Sequence, residues 1–139
     1  MRGHTIGITH CPQFSNRLYN FTGRGDEDPS LDSEYAAVLR RDKCKSPTDN
    51  TTIVEMDPGS FRTFDTSYYK LLMKRRGIFQ SDAALTKDNQ AKAIVADLAD
   101  GPLSNFFDAF ALSMEKMGRI DVKTGSAGEI RNKCAVVNS

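Results

Sequence analysis

Leu103-Ser104-Asn105-Phe106-Phe107-Asp108-Ala109-Phe110-Ala111-Leu112-Ser113-Met114-Glu115-Lys116-Met117-Gly118 is the stretch that decides the fold class. Leu103, Phe106, Phe107, Phe110, Met114 and Met117 fall on one side of a helix with 3.6 residues per turn, and Gly118 supplies its stop. Core packing is the reading of that stripe, ahead of a cofactor-lining role. Just upstream, Gly101-Pro102 ends a second helix opened at Thr86, with Ala91, Ile94, Val95 and Leu98 at helical spacing. Further back, Asp65 or Thr66 caps a third helix that runs to Arg76 and halts at Gly77. Residues 44–60 are dense in Pro, Asn, Thr and Gly and read as loop, as do residues 20–30. Between these loops Asp32 caps a short helix from Ser33 to about Asp42, with Tyr35, Val38 and Leu39 on one face. A first helix is expected from about Gly3 toward Leu18, bent or ended by Pro12. The tail after Gly118 is irregular, with a short extended piece at 135–137. No strongly alternating segment stands out, so the fold is mainly α, its helices joined by long ordered loops with little or no sheet.

The chain has 139 residues, enough for one domain, 1–139, around a modest core. A net charge of +1 gives no reason to expect nucleic acid or an anionic membrane as partner. The densest basic groups, Arg40-Arg41 and Lys74-Arg75-Arg76, read as solvated helix faces. No apolar run approaches the ~20 residues that cross a bilayer. Met1 to Gly7 lacks the charged and apolar regions of a secretory signal. Yet Asn20-Phe21-Thr22 and Asn50-Thr51-Thr52 are glycosylation sequons, and the three cysteines leave at least one without a partner in this chain. Together these features point to material missing at the N-terminus.

Gly3-His4-Thr5-Ile6-Gly7, then Cys11, then Arg17-Leu18-Tyr19-Asn20-Phe21 resembles the proximal-histidine segment of class III plant peroxidases. Phe64-Asp65-Thr66-Ser67-Tyr68-Tyr69, Gln80-Ser81-Asp82, Met114-Glu115-Lys116-Met117-Gly118 and Gly128-Glu129-Ile130-Arg131-Asn132-Lys133-Cys134 follow in that family's order and spacing. The resemblance covers essentially the whole chain. It implies the proximal half of the plant haem peroxidase fold, with haem b and calcium as cofactors. His4 would be the axial iron ligand, and Asp82 would accept a hydrogen bond from its second ring nitrogen. That arrangement makes an imidazole electron-rich. Thr5, Asp57, Ser60, Thr63 (through its carbonyl) and Asp65 would ligate calcium, a hard cation that takes six to eight oxygens. Cys11 and Cys44 would form a disulfide, and Cys134 would pair with a cysteine of the family's N-terminal half. Hydrogen peroxide and phenolic donors are the implied substrates. The family is usually monomeric and is extracellular or vacuolar.

Each assignment has a plainer counterpart. A lone histidine near a helix start is commonly a surface or capping residue, Asp57-Pro58-Gly59-Ser60 makes a turn, and Asp65 makes a cap. A zinc site of His4, His10 and Cys11 is disfavoured, because on a helix His4 and Cys11 would stand ~10 Å apart. Arg2, Met56, Ser60 and Thr66 depart from the family's usual residues without removing a ligand. The larger departure is the absence of the Arg-x-x-Phe-His-Asp-Cys motif, whose histidine moves the peroxide proton and whose arginine stabilises developing charge. No catalytic residue is therefore assigned within this chain. Two functions compete: a peroxidase oxidising phenolic donors, and a catalytically inactive haem- and calcium-binding fragment or incomplete gene product lacking the distal His and Arg. Half of a haem cradle would leave apolar surface bare, so the isolated chain is expected to aggregate or partly unfold.

Overall fold

The computed structural model describes residues 5–138, so the assignment of His4 and the departure at Arg2 lie outside the described residues. Among the described residues, six α-helices and two short strands follow one another as β1 (Ile8–His10), α1 (Ser15–Tyr19), α2 (Ser33–Val38), β2 (Ile53–Glu55), α3 (Ser67–Met73), α4 (Gln80–Lys87), α5 (Asn89–Asp100) and α6 (Leu103–Gly118). The fold is mainly α, as expected from the sequence.

The first segment departs from expectation. Ile8, Thr9 and His10 pair antiparallel with Glu55, Val54 and Ile53 instead of coiling. Gly7 holds φ at +135°, a conformation no right-handed helix contains. Its N–H donates to the Phe61 carbonyl at 2.9 Å, and its own carbonyl accepts from Met56 N–H at 3.1 Å. A helix through this residue would lose both bonds. Pro12 then sits in the first turn of a short 3₁₀ helix, Cys11–Gln13, where its missing N–H costs nothing. Only α1 remains of the long helix anticipated here.

Caps explain the next boundaries. Asp32 accepts from Tyr35 N–H at 2.9 Å and starts α2, which loosens into a π turn over Leu39–Lys43. Asp65 Oδ1 accepts from Ser67 N–H at 2.8 Å at the start of α3. That helix ends at Met73, and Arg75 just beyond it, at φ 58°, carries the left-handed stop expected of Gly77. Thr86 does not open a helix; its hydroxyl donates to the Ala83 carbonyl at 3.0 Å from within α4. The break falls at Asp88, extended at ψ 129°, whose side chain accepts from Ala91 N–H at 2.8 Å and caps α5.

Two apolar clusters result. One gathers Cys11, Phe14, Leu18, Leu39, Val54 and Ile78 around the β1–β2 pair. The other packs Tyr68, Tyr69 and Leu72 of α3 against Val95 and Leu98 of α5 and Phe106 of α6. The stripe on α6 is only partly core. Phe106 is fully buried, but Leu103, Phe107, Met114 and Met117 keep 40–50 % of their surface. Phe64 covers one patch, its ring centroid 4.8 Å from Phe106 and 4.9 Å from Phe110. Nothing among the described residues buries the rest. The short bridge in the tail joins Lys133 and Val136.

Candidate functional site

Asp82 lies in the first turn of α4 and is 1 % exposed. Its Oδ1 accepts from the Tyr68 hydroxyl at 2.8 Å and its Oδ2 from Phe79 N–H at 2.9 Å. The second bond is the reach of an N-terminal carboxylate back to an orphan helix donor, and the helix dipole favours the charge there. Gly77 completes the setting. A Cβ on Gly77 would stand 2.5 Å from Asp82 Cβ and from Leu72 Cδ2, so the absence of a side chain lets this carboxylate lie where it does. Two donors on different oxygens fix the carboxylate plane. This is the partner that a metal-ligating imidazole uses to hold its tautomer and gain basicity. The donor set suits the role anticipated for Asp82.

The residues expected to hold calcium also converge. Thr5, 2 % exposed, donates from Oγ1 to the Asp65 carbonyl at 2.7 Å. Ser60 Oγ donates to the Asp65 carboxylate. Ser60 N–H meets the Asp57 carbonyl at 3.1 Å, and Thr63 N–H meets the Ser60 carbonyl at 2.8 Å. The loop from 57 to 65 thus folds back on itself, with a left-handed Gly59 at φ 87° making the turn.

Asp57 is the informative member. It is 1 % exposed, yet neither carboxylate oxygen has a hydrogen-bond partner. Burial pushes its carboxyl above the usual range. The nearby Ser67 hydroxyl and Tyr68 N–H, outside bonding geometry, offset part of this, and the Asp65 and Glu55 charges add to it. A buried carboxylate with no donor is costly unless a cation neutralises it. Two carboxylates with hydroxyl and carbonyl oxygens form the oxygen-only set that a hard cation prefers. No group of three or more His, Cys, Asp or Glu side chains lies close enough to hold a metal ion among the described residues.

Cys11 and Cys44 form a disulfide across 33 residues, with their Cα atoms 5.6 Å apart. Cys11 is therefore no zinc thiolate, and the strand at Ile8–His10 removes the helical spacing used to weigh that site. Cys134 is a free, exposed thiol. Asn20 and Asn50 are both exposed, Asn20 accepting from Gly25 N–H at 2.8 Å. His10 is exposed at the end of β1.

Residue identity alone assigns no individual role to Tyr68, Phe79, Arg17 or Asp28. The doublet Tyr68-Tyr69 beside a cap offered a hint, since a buried phenol needs a polar partner. A backbone donor such as Phe79 N–H leaves no trace in residue identity.

A family model described as Peroxidase matches residues 2–101. Over 136 residues the chain is 62 % identical to Peroxidase 3 of Arabidopsis thaliana, covering 98 % of this chain and 42 % of that protein. It is 64 % identical to Peroxidase 39 of Arabidopsis thaliana, covering 97 % and 41 %. Against Peroxidase 1 of Oryza sativa subsp. japonica the identity is 55 %, covering 98 % and 43 %. The chain spans about two fifths of the length of these relatives.

Proposed function

The chain belongs to the plant class III peroxidase family, and from that premise we propose that it supplies the proximal side of a haem site that oxidises phenolic donors with hydrogen peroxide. The observation that carries the reading is the buried Asp82 carboxylate, held between the Tyr68 hydroxyl and Phe79 N–H. In this reading His4 would ligate the haem iron and donate from its second ring nitrogen to Asp82. The carboxylate would keep that imidazole in one tautomer and raise its basicity, while Tyr68 and Phe79 N–H hold the carboxylate in its orientation. Haem b, when bound there, would supply the redox-active iron for peroxide reduction and donor oxidation.

Calcium is assigned to Thr5, Asp57, Ser60, Thr63 and Asp65, supported by the two orphaned oxygens of Asp57. Thr5 adjoins His4 in sequence, so the ion would hold the segment that carries the iron ligand. Residues 1–139 are read as part of one haem peroxidase domain. The exposed sequons Asn20 and Asn50 agree with an extracellular or vacuolar location, and no helix among the described residues is long and apolar enough to cross a membrane.

A second reading is a haem- and calcium-binding polypeptide without turnover. It is favoured by one observation: the chain's histidines are His4 and His10 alone, and His10 is solvent-facing at the end of β1. A proton-shuttling histidine for the opposite haem face must then come from residues outside this chain. Oxidation of guaiacol by hydrogen peroxide, with the chain plus haemin compared against haemin alone, separates the two. Activity well above haemin supports turnover by this chain. Activity equal to haemin, together with a haem spectrum of an imidazole complex, supports the binding module.

A further inference from the structure

Arg17 is 0 % exposed, and its guanidinium donates hydrogen bonds from all three nitrogens. Nε donates to Asp28 Oδ2 at 2.7 Å, and Nη2 donates to Ser30 Oγ at 3.3 Å. Nη1 donates to two carbonyls, Gly77 at 2.7 Å and Phe79 at 2.9 Å. These two carbonyls belong to the short link between α3 and α4, on either side of the fully buried Ile78. The same link positions Asp82 in three ways. Phe79 N–H donates to Oδ2, the Phe79 carbonyl accepts from Asp82 N–H at 2.9 Å, and Gly77 forms the wall against Asp82 Cβ.

Burying an ion pair for stability alone is a poor bargain, since apolar side chains of similar volume often serve as well or better. An arginine gives what they cannot, a planar fork that fixes several acceptors in one geometry. We infer that Arg17 is a positioning residue: by clamping the Gly77 and Phe79 carbonyls it sets the angle at which Asp82 faces the axial histidine, and so tunes that ligand's basicity. Asp28 and Ser30 hold the fork from the other side. The inference rests on the assignment of His4 and Asp82 made above.

The test is the iron–imidazole stretching band of the ferrous, haem-loaded protein, measured by resonance Raman spectroscopy. Asp82→Asn serves as reference and shifts the band to lower frequency. Arg17→Lys keeps a charge opposite Asp28 but loses the fork, and shifts the band in the same direction by a smaller amount. Arg17→Met combined with Asp28→Leu replaces the buried pair by apolar volume, and it repeats the shift should Arg17→Lys fail to fold. Asp28→Asn weakens the pair but leaves both carbonyl bonds, so it lowers Tm without moving the band. A band at the wild-type position in the Arg17 variants, with Asp82→Asn shifted, overturns the inference. An equal shift in Asp28→Asn also overturns it, because loosened packing would then suffice. An unmoved band in Asp82→Asn refutes the underlying assignment, and the inference falls with it.

Discussion

At Asp82 three constraints meet on one side chain: a phenol on Oδ1, a backbone N–H on Oδ2, and a glycine against Cβ. Gly77 therefore matters for its size rather than for a left-handed backbone. Gly77→Ala brings a methyl to within 2.5 Å of Asp82 Cβ and Leu72 Cδ2, so one of them must move. The expected cost is about 1–3 kcal/mol of stability, read as a fall in Tm; if His4 is the iron ligand proposed above, a weaker hydrogen bond from it to Asp82 reads as a rise in reduction potential. Asp28 makes a different prediction. Burial pushes its carboxyl up, but bonds from Ser30 and Arg17 and the Arg17 charge outweigh this and hold it below its ordinary 3.8. A depressed folded pKa adds stability that is full above 3.8 and is lost as pH falls through the folded value. Acid unfolding below about pH 4 thus includes protonation of Asp28. Asp28→Asn lowers stability at pH 7 by roughly 3 kcal/mol, since it strands the buried Arg17 charge, and flattens the acid limb of a pH–Tm series.

Among the elements, α6 was legible because sixteen residues repeat one apolar face and end in glycine. The α4–α5 pair was not legible, and the reason is local. Thr86 looks like a cap but bonds backward to Ala83, whereas Asp88 both breaks the chain and caps α5. Replacing each by alanine separates the roles: Asp88→Ala costs about 1 kcal/mol, and Thr86→Ala a few tenths at most, both measurable by urea denaturation. The start of α4 was hidden because Phe79 carries no polar capping atom; the cap comes from Asp82 reaching back. The segment before Cys11 misled for another reason. β1 exists only because β2, more than forty residues later, lies beside it, and no periodicity within three residues can declare a partner so distant.

On the scale of the whole molecule, site residues and burial were legible to different degrees. Thr5, Asp57, Ser60, Thr63 and Asp65 were grouped only through the family resemblance; hydrogen bonds link them around the loop from 57 to 65, and what they hold is a matter for metal-binding measurement. The exposure of the α6 stripe could not be read, because periodicity says that a face is apolar without saying what covers it. Leu103, Phe107, Met114 and Met117 stay 40–50 % exposed, beside Ile120 at 68 % and Val122 at 60 %. An apolar surface of this extent promotes association. The isolated chain is expected to show concentration-dependent growth in light scattering, reduced by Phe107→Ser and Met117→Ser; a scattering profile independent of concentration would contradict this.

The function proposed for this chain turns on His4 as the iron ligand and Asp82 as its hydrogen-bond acceptor. The most direct measurement is the ferrous iron–imidazole band of the haem-loaded protein beside that of His4→Ala. The band is expected to be present in the wild type, absent in His4→Ala, and restored when free imidazole is added. A band that persists unchanged in His4→Ala without added imidazole would contradict it.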